Sequence, residues 1–240
     1  MLFILFFAGM LAGFINTLAG GGSLLVLPIL ILLGIPSPIA NATNRVAILF
    51  QSATGSYRFN KFLKLDIKSS LHIIIAVIFG SIIGSSFAVK ISSAYFDKIL
   101  AGVLMLMLIL MLRPHKITKK RVLPKWLEFI IFLIVGFYGG FIQVGIGFIL
   151  LAILNLVEEF DLLKANAVKV FIVMCYTIFT VIIFAINGQI IWKYGLILAV
   201  GNIIGAFVGV KFAFQKGEKF IKFVLVLAVI LACLKLLNIF

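Results

Sequence analysis

Two cations lie inside apolar stretches of this chain. Arg45 sits in Ala40-Asn-Ala-Thr-Asn-Arg-Val-Ala-Ile-Leu-Phe50, and Lys169 in Ala165-Asn-Ala-Val-Lys-Val-Phe-Ile-Val173. A bare Arg or Lys at the middle of a helix in lipid costs about 2.5–3.5 kcal/mol on insertion scales, so such a residue faces a cavity or a partner. No acidic partner offers itself, because Asp66, Asp97, Glu128, Glu158, Glu159, Asp161 and Glu218 all fall in or beside loops. A cationic site without intramembrane carboxylates suits an anion.

Helical spacing adds amides to each cation. Asn41 and Arg45 share a face at i,i+4 with Asn44 beside them, and Asn166 pairs with Lys169 at i,i+3. Ser37-Pro38 reads as an N-cap followed by proline at the first helical position, and Asp161 as the cap of the matching helix. These starts put Arg45 about two turns into its helix, where free N–H groups and the macrodipole attract anions. The competing reading is snorkelling to the interface, since both cations are near a helix end. Their occurrence at matching places, offset by one residue, argues against accident.

The surrounding elements are membrane helices. With 64% hydrophobic and 12% charged residues, the 240-residue chain has too little polar surface for a soluble domain. Eight hydrophobic stretches can be drawn, at 2–33, 39–59, 69–89, 97–112, 126–156, 164–186, 192–214 and 220–239. Strand alternation is absent, which excludes a β-barrel. The first and fifth stretches are too long for one untilted crossing of about 30 Å. Each is interrupted by glycine, at Gly20, Gly21 and Gly22 and at Gly145 and Gly147. Irregular backbone survives in lipid only where it is packed in protein or lines a cavity, so a broken helix or re-entrant hairpin is expected at both places.

The chain is a duplication. Gly80-Ser-Ile-Ile-Gly84 through Lys90 returns as Gly201-Asn-Ile-Ile-Gly205 through Lys211, with six of eleven positions identical. Gly9-x-x-x-Gly13-Phe-Ile returns at Gly136, and Ala40-Asn-Ala42 at Ala165; the displacements are 121, 127 and 125 residues. The division is an N-terminal repeat over 1–112, a basic connecting loop over 113–125 and a C-terminal repeat over 126–240. Two such half-units enclosing a site are a transporter's plan. If each broken stretch returns to the side it entered, the loop Lys and Arg divide 15 (58–68, 113–125, 157–164, 211–222) against 3. A single crossing gives 11 against 7. The positive-inside rule favours the first arrangement, which makes the repeats inverted.

Several other readings fall away. The net charge of +14 is spread through short loops, where orientation explains it, and no basic face with interleaved aromatics suggests nucleic acid. The start, Met1-Leu-Phe-Ile-Leu-Phe-Phe7, has no basic region before the apolar run and reads as the first span. Cys175 and Cys233 read as buried hydrophobes, with neither metal nor disulfide spacing. His72 and His115 read as interfacial. Gly80/Gly84 and Gly201/Gly205 read as helix-packing pairs. No Gly-Lys-[Ser/Thr] follows the triple glycine, so it is not a phosphate loop. No metal or other cofactor, and no nucleophile or acid–base pair for an intramembrane enzyme, is in view.

The segments Gly13-Phe-Ile-Asn-Thr-Leu-Ala-Gly-Gly-Gly-Ser23, Pro28, Ala40 to Arg45 and Gly136-Phe-Tyr-Gly-Gly-Phe-Ile-Gln-Val-Gly-Ile-Gly147 resemble the TauE/SafE sulfite exporter family over essentially the whole chain. The resemblance implies a multi-pass cytoplasmic-membrane permease for small sulfur-containing or organic anions, such as sulfite or sulfonates, driven by a gradient and not by ATP. The expectation is therefore an all-α polytopic secondary transporter in the lipid bilayer, with its site between the repeats. Arg45 and Lys169 would attract the anion, Asn41, Asn44 and Asn166 would orient it, and the glycines Gly20, Gly21, Gly22, Gly145 and Gly147 would bring backbone close. A passive anion channel is the alternative, and a membrane enzyme a more distant one. The glycine faces serve contacts between subunits as readily as within one, which leaves a homodimer open.

Overall fold

The computed structural model describes residues 1–18, 20–63, 70–112, 123–157 and 160–236. His115, Asp66, Glu158, Glu159 and most of the connector lie outside the described residues. The side chains of Glu218 and Cys233 are also outside them.

Among the described residues the fold is nine helices: α1 (Leu2–Leu18), α2 (Ser23–Leu32), α3 (Ser37–Leu63), α4 (Leu71–Ala88), α5 (Ser93–Leu112), α6 (Lys125–Phe141), α7 (Ile146–Val157), α8 (Leu162–Ile186) and α9 (Trp192–Leu236). Three segments, Leu71–Ala88, Leu163–Ile186 and Trp192–Gln215, are long and apolar enough to cross a membrane by themselves. The outward faces of these segments are apolar too, with Phe79, Ile83, Ile182 and Phe207 exposed, as a lipid-facing surface requires. The chain is an all-α polytopic membrane protein.

Both long stretches are broken where the glycines stand, and both breaks reverse the chain. Gly9 packs on Leu198 and Gly13 on Asn202, so α1 and α9 run parallel. Thr43 Oγ1 accepts the Ile191 N–H at 3.0 Å, and the Phe59 and Phe214 rings lie 5.8 Å apart, so α3 and α9 also run parallel. With α1 and α3 pointing the same way, α2 has to return between them. Gly22 accordingly lies against the Ala12 carbonyl, and its N–H donates to Asn16 Oδ1 at 2.7 Å.

The second break is built the other way up. Helix α8 is antiparallel to α3, with Val170 against Gly55 and Phe184 beside Arg45. Helix α6 ends against the first turns of α3, where Asn41 Nδ2 donates to Phe141 O at 3.0 Å. Helices α6 and α8 are thus parallel, and α7 is the return. The two hairpins α1–α2 and α6–α7 enter from opposite ends of the bundle. The helix directions bring the end of α3, the starts of α4, α6 and α8, and Lys211 to one end, called the basic end below.

Glycine decides who packs with whom. On α1, a Cβ at Gly9 or Gly13 would lie less than 3.0 Å from the backbone of α9, and so would one at Gly201 or Gly205 from the backbone of α1. On α6, Gly136 and Gly140 meet Val77 and Ser81 of α4, while Gly80 and Gly84 meet the backbone around Leu133, Phe137 and Phe141. The expected small-residue packing is present, but each pair is made across the connector. The first helix of either half packs on the third hydrophobic stretch of the other, α1 on α9 and α6 on α4.

Two local expectations are corrected. Ser37 does not cap α3: it is the helix's first residue, and its hydroxyl donates to Asp97 at the start of α5. Asp161 does cap α8, accepting the Lys164 N–H at 2.7 Å. The stretches 192–214 and 220–239 are not separate, because α9 runs through them as one helix of 45 residues. Gln215-Lys-Gly-Glu-Lys219 holds no proline, and Gly217 alone is too weak a breaker to stop a helix. Cys175 is half-buried on α8 and no more than packing.

Candidate functional site

Arg45 and Lys169 are fully buried, 0% and 1% exposed. Neither snorkels. Each instead closes the C-terminus of the broken helix belonging to the other half. The Arg45 fork donates to Gly139 O and, at 2.8 Å, to Gly140 O, two of the last carbonyls of α6. Asn41 takes the final one, Phe141 O. At the other hairpin Lys169 Nζ donates to Asn16 O at 3.0 Å and Thr17 O at 3.5 Å, and Asn166 Nδ2 to Leu18 O at 2.8 Å. Lys169 also donates to Asn166 Oδ1.

The reason is local. The last carbonyls of a helix have no intrahelical partner, and the macrodipole leaves that end negative. A helix that stops inside the membrane cannot give those carbonyls to water, so a cation and an amide are brought to them. Asn and cation at i,i+4 or i,i+3 cover one turn of carbonyls.

The two breaks touch. Gly20 and Gly147 lie backbone against backbone, so a Cβ on either would come within 3.0 Å of the other's Cα. Beside this contact is a small cavity of about 20 Å³, room for about one water. Its polar lining is Asn16, Ser23, Gln51, Ser52, Gln143 and Lys169. Gly20 and Gly147 contribute backbone, and Ile48, Ile146, Val170 and Val173 the apolar wall.

Helices α2 and α7 both begin here, with Ser23 and Ile146 as their first residues. Gln51 Nε2 donates to Thr17 Oγ1 at 3.1 Å, Ser52 Oγ to Ile48 O at 2.7 Å, and Asn44 Nδ2 to Ser23 Oγ at 3.2 Å. Gln143 is held at φ +65°, a left-handed conformation that is unusual for a side-chain-bearing residue. Its Oε1 is buried without a partner.

Of the residues singled out from sequence, Gly20, Gly147 and Lys169 line the cavity. Asn44 stands one bond behind it, on Ser23. Arg45 and Asn41 are at the end of α6, with the Arg45 guanidinium 5.3 Å from the Phe184 ring, and Asn166 is at the end of α1. Gly21, Gly22 and Gly145 shape the breaks without lining the cavity; Gly145 has φ +70°. Sequence reading missed Asn16, Gln51, Ser52 and Gln143. A signal for the amides exists: Asn16 and Gln143 each follow Gly-Phe-Ile in the two repeats. His72 pairs with Glu128 at 3.1 Å at the basic end, joining α4 to α6 far from the cavity. Among the described residues, no three His, Cys, Asp or Glu side chains gather to hold a metal.

Comparison with known proteins agrees with this architecture. Residues 5–236 match the family described as Sulfite exporter TauE/SafE. A "Probable membrane transporter protein" of Haemophilus influenzae is 29% identical over 226 residues, covering 92% of this chain and 89% of the relative. "Probable membrane transporter protein ORF9" of a Sinorhizobium species is 30% identical over 242 residues, covering 99% and 92%. "Probable membrane transporter protein YfcA" of Escherichia coli K12 is 30% identical, covering 99% and 90%. No solved structure matches. The chain belongs to the TauE/SafE family of membrane transporters.

Proposed function

We propose that this protein is a secondary permease for a small sulfur-containing or organic anion, such as sulfite or a sulfonate. It sits in the cytoplasmic membrane as a multi-pass protein with its basic end in the cytoplasm, since the sequence around that end carries 15 Lys and Arg. The observation that carries the reading is Lys169: a cation buried to 1% exposure at the wall of a central cavity, bonded to carbonyls and an amide and to no carboxylate. Its charge is left for the cargo to neutralise. The starts of α2 and α7 add the positive ends of two helix dipoles, although the Leu24, Leu25, Ile146 and Phe148 N–H groups are already taken by the Gly21, Gly22, Gln143 and Gly145 carbonyls; half-helix N-termini hold anionic groups in other transporters.

Sulfite has four heavy atoms, and a space for about one water cannot pass it without widening. A carrier and a gated channel both meet that requirement, and counterflow separates them.

The test is uptake of radiolabelled sulfite into proteoliposomes, with and without a proton gradient, for the wild type and for Lys169→Gln and Arg45→Ala. Uptake that follows the gradient and falls at least tenfold in Lys169→Gln supports the reading. Uptake that ignores the gradient and shows no counterflow supports a channel. Undiminished uptake in both variants sinks the cationic site.

A further inference from the structure

The inverted repeats allow the lining of the cavity to be turned into the lining of a second one. At the present cavity α3 contributes Ile48, Gln51 and Ser52, and α8 contributes Lys169, Val170 and Val173. The Ala-Asn-Ala displacement of 125 residues exchanges these sets. Ile48, Gln51 and Ser52 become Val173, Tyr176 and Thr177, while Lys169, Val170 and Val173 become Asn44, Arg45 and Ile48. On α3 the change runs toward its N-terminus and on α8 toward its C-terminus. The helices are antiparallel, so both move the same way, away from the basic end, by a little over one turn or about 7 Å.

An independent observation falls on three of these residues and on Gln143 beside them. Arg45 Nε, Tyr176 Oη, Thr177 Oγ1 and Gln143 Oε1 are all buried without a hydrogen-bond partner. Arg45, Tyr176 and Thr177 are 0% exposed and Gln143 3%. They are together: the Tyr176 hydroxyl is close to Gly139, whose carbonyl Arg45 holds, and close to the side chains of Gln143 and Thr177. The Tyr176 hydroxyl is near enough to Thr177 and Gln143 to exchange hydrogen bonds with them, but none of these approaches is aligned for one. Buried polar groups are rarely left unpaired unless something else completes them. Here the set comprises a cation's N–H, two hydroxyls and an amide, which together suit an oxyanion.

We infer that Arg45, Tyr176, Thr177 and Gln143 form the anion's second station, filled when the two hairpins exchange conformations and the cavity moves toward the end opposite the basic loops. This rests on the permease reading. The cargo is handed from Lys169 to Arg45, with Gln143 facing both positions. Each cation keeps hold of its helix end throughout, so neither charge is ever left bare.

The experiment compares wild type with Tyr176→Phe/Thr177→Val, two residues that do not line the present cavity, by radiolabelled sulfite uptake and by thermal unfolding in detergent. Removing unpaired buried hydroxyls leaves folding unchanged or improves it, so the expected variant melts no lower than the wild type yet takes up sulfite at least tenfold more slowly. Should the double variant not assemble, Thr177→Val alone serves with the same expectation. Uptake within twofold of wild type overturns the second station while the permease stands. A wild type that neither binds nor moves sulfite or any sulfonate or carboxylate overturns both.

Discussion

Gly20 and Gly147 are packed backbone to backbone at the centre of the molecule, one from each broken stretch. No side chain separates the two hairpins there. The contact fixes the distance between the starts of α2 and α7, and with it the size of the cavity they enclose.

A methyl group at either position should therefore be costly, and unequally so. Gly147 faces only the clash, while Gly20 also has φ +93°, which an L side chain adopts under strain. Backbone strain of this kind and forced overpacking cost roughly 1–3 kcal/mol each. Gly20→Ala is expected to melt lowest, Gly147→Ala next, and Gly102→Ala on α5, with nothing within 4 Å of its added Cβ, near the wild type. Thermal unfolding in detergent reads the order. A Gly20→Ala protein as stable as Gly102→Ala would contradict the packed centre.

Arg45 bridges Gly139 and Gly140 with two arms of one fork. A lysine cannot hold both carbonyls in that geometry. Arg45→Lys is expected to lose about 1.5–3 kcal/mol, the usual worth of one hydrogen bond to a charged group. Arg45→Leu should lose more, because both carbonyls are then buried and unpaired. If the leucine variant unfolds no earlier than the lysine variant, the guanidinium is not the cap of α6.

How far the sequence carried follows from which signals are local. Glycine runs inside over-long apolar stretches marked both breaks, and Asn with a cation at helical spacing marked the four side chains that close them. The acceptors were not legible, because Gly139, Gly140, Asn16 and Thr17 present only backbone carbonyls, which every residue has. The Gly-x-x-x-Gly pairs announced close helix contacts without naming partners, since any smooth helix face would answer. Gln51 and Ser52 were passed over because a polar residue two turns beyond Arg45 has no meaning until α1 and α8 are in place. Ser37 was read as a cap from its proline neighbour, and only the arrival of Asp97 from α5 shows otherwise.

The exchange of partners between halves has its own consequence. Helix α1 needs α9, and α4 needs α6. Residues 1–112 expressed alone would leave the glycine faces of α1 and α4 both uncovered, and are expected to be degraded. Co-expression with residues 113–240 should restore both chains to the membrane fraction and to co-purification. Stable accumulation of the first half alone would mean that its helices pair in some other way.

Gln143 offers a separation of stability from transport. Its left-handed backbone costs about 1–2 kcal/mol for a residue with a Cβ, and its buried Oε1 finds no partner. Gln143→Gly removes both penalties, while the greater freedom of glycine in the unfolded chain takes back roughly 0.4–1 kcal/mol. The variant should therefore be more stable by about 1 kcal/mol, visible as a higher melting temperature. The same change takes an amide from the wall of the cavity and from the second station, so sulfite uptake should slow by at least tenfold. Strain retained at a position that gains nothing from it has no reason to persist, and a glycine would serve the turn better. A Gln143→Gly protein that is more stable and transports as fast as the wild type would remove Gln143 from the site. One that is less stable would mean that the amide pays its way in folding, not in handling the anion.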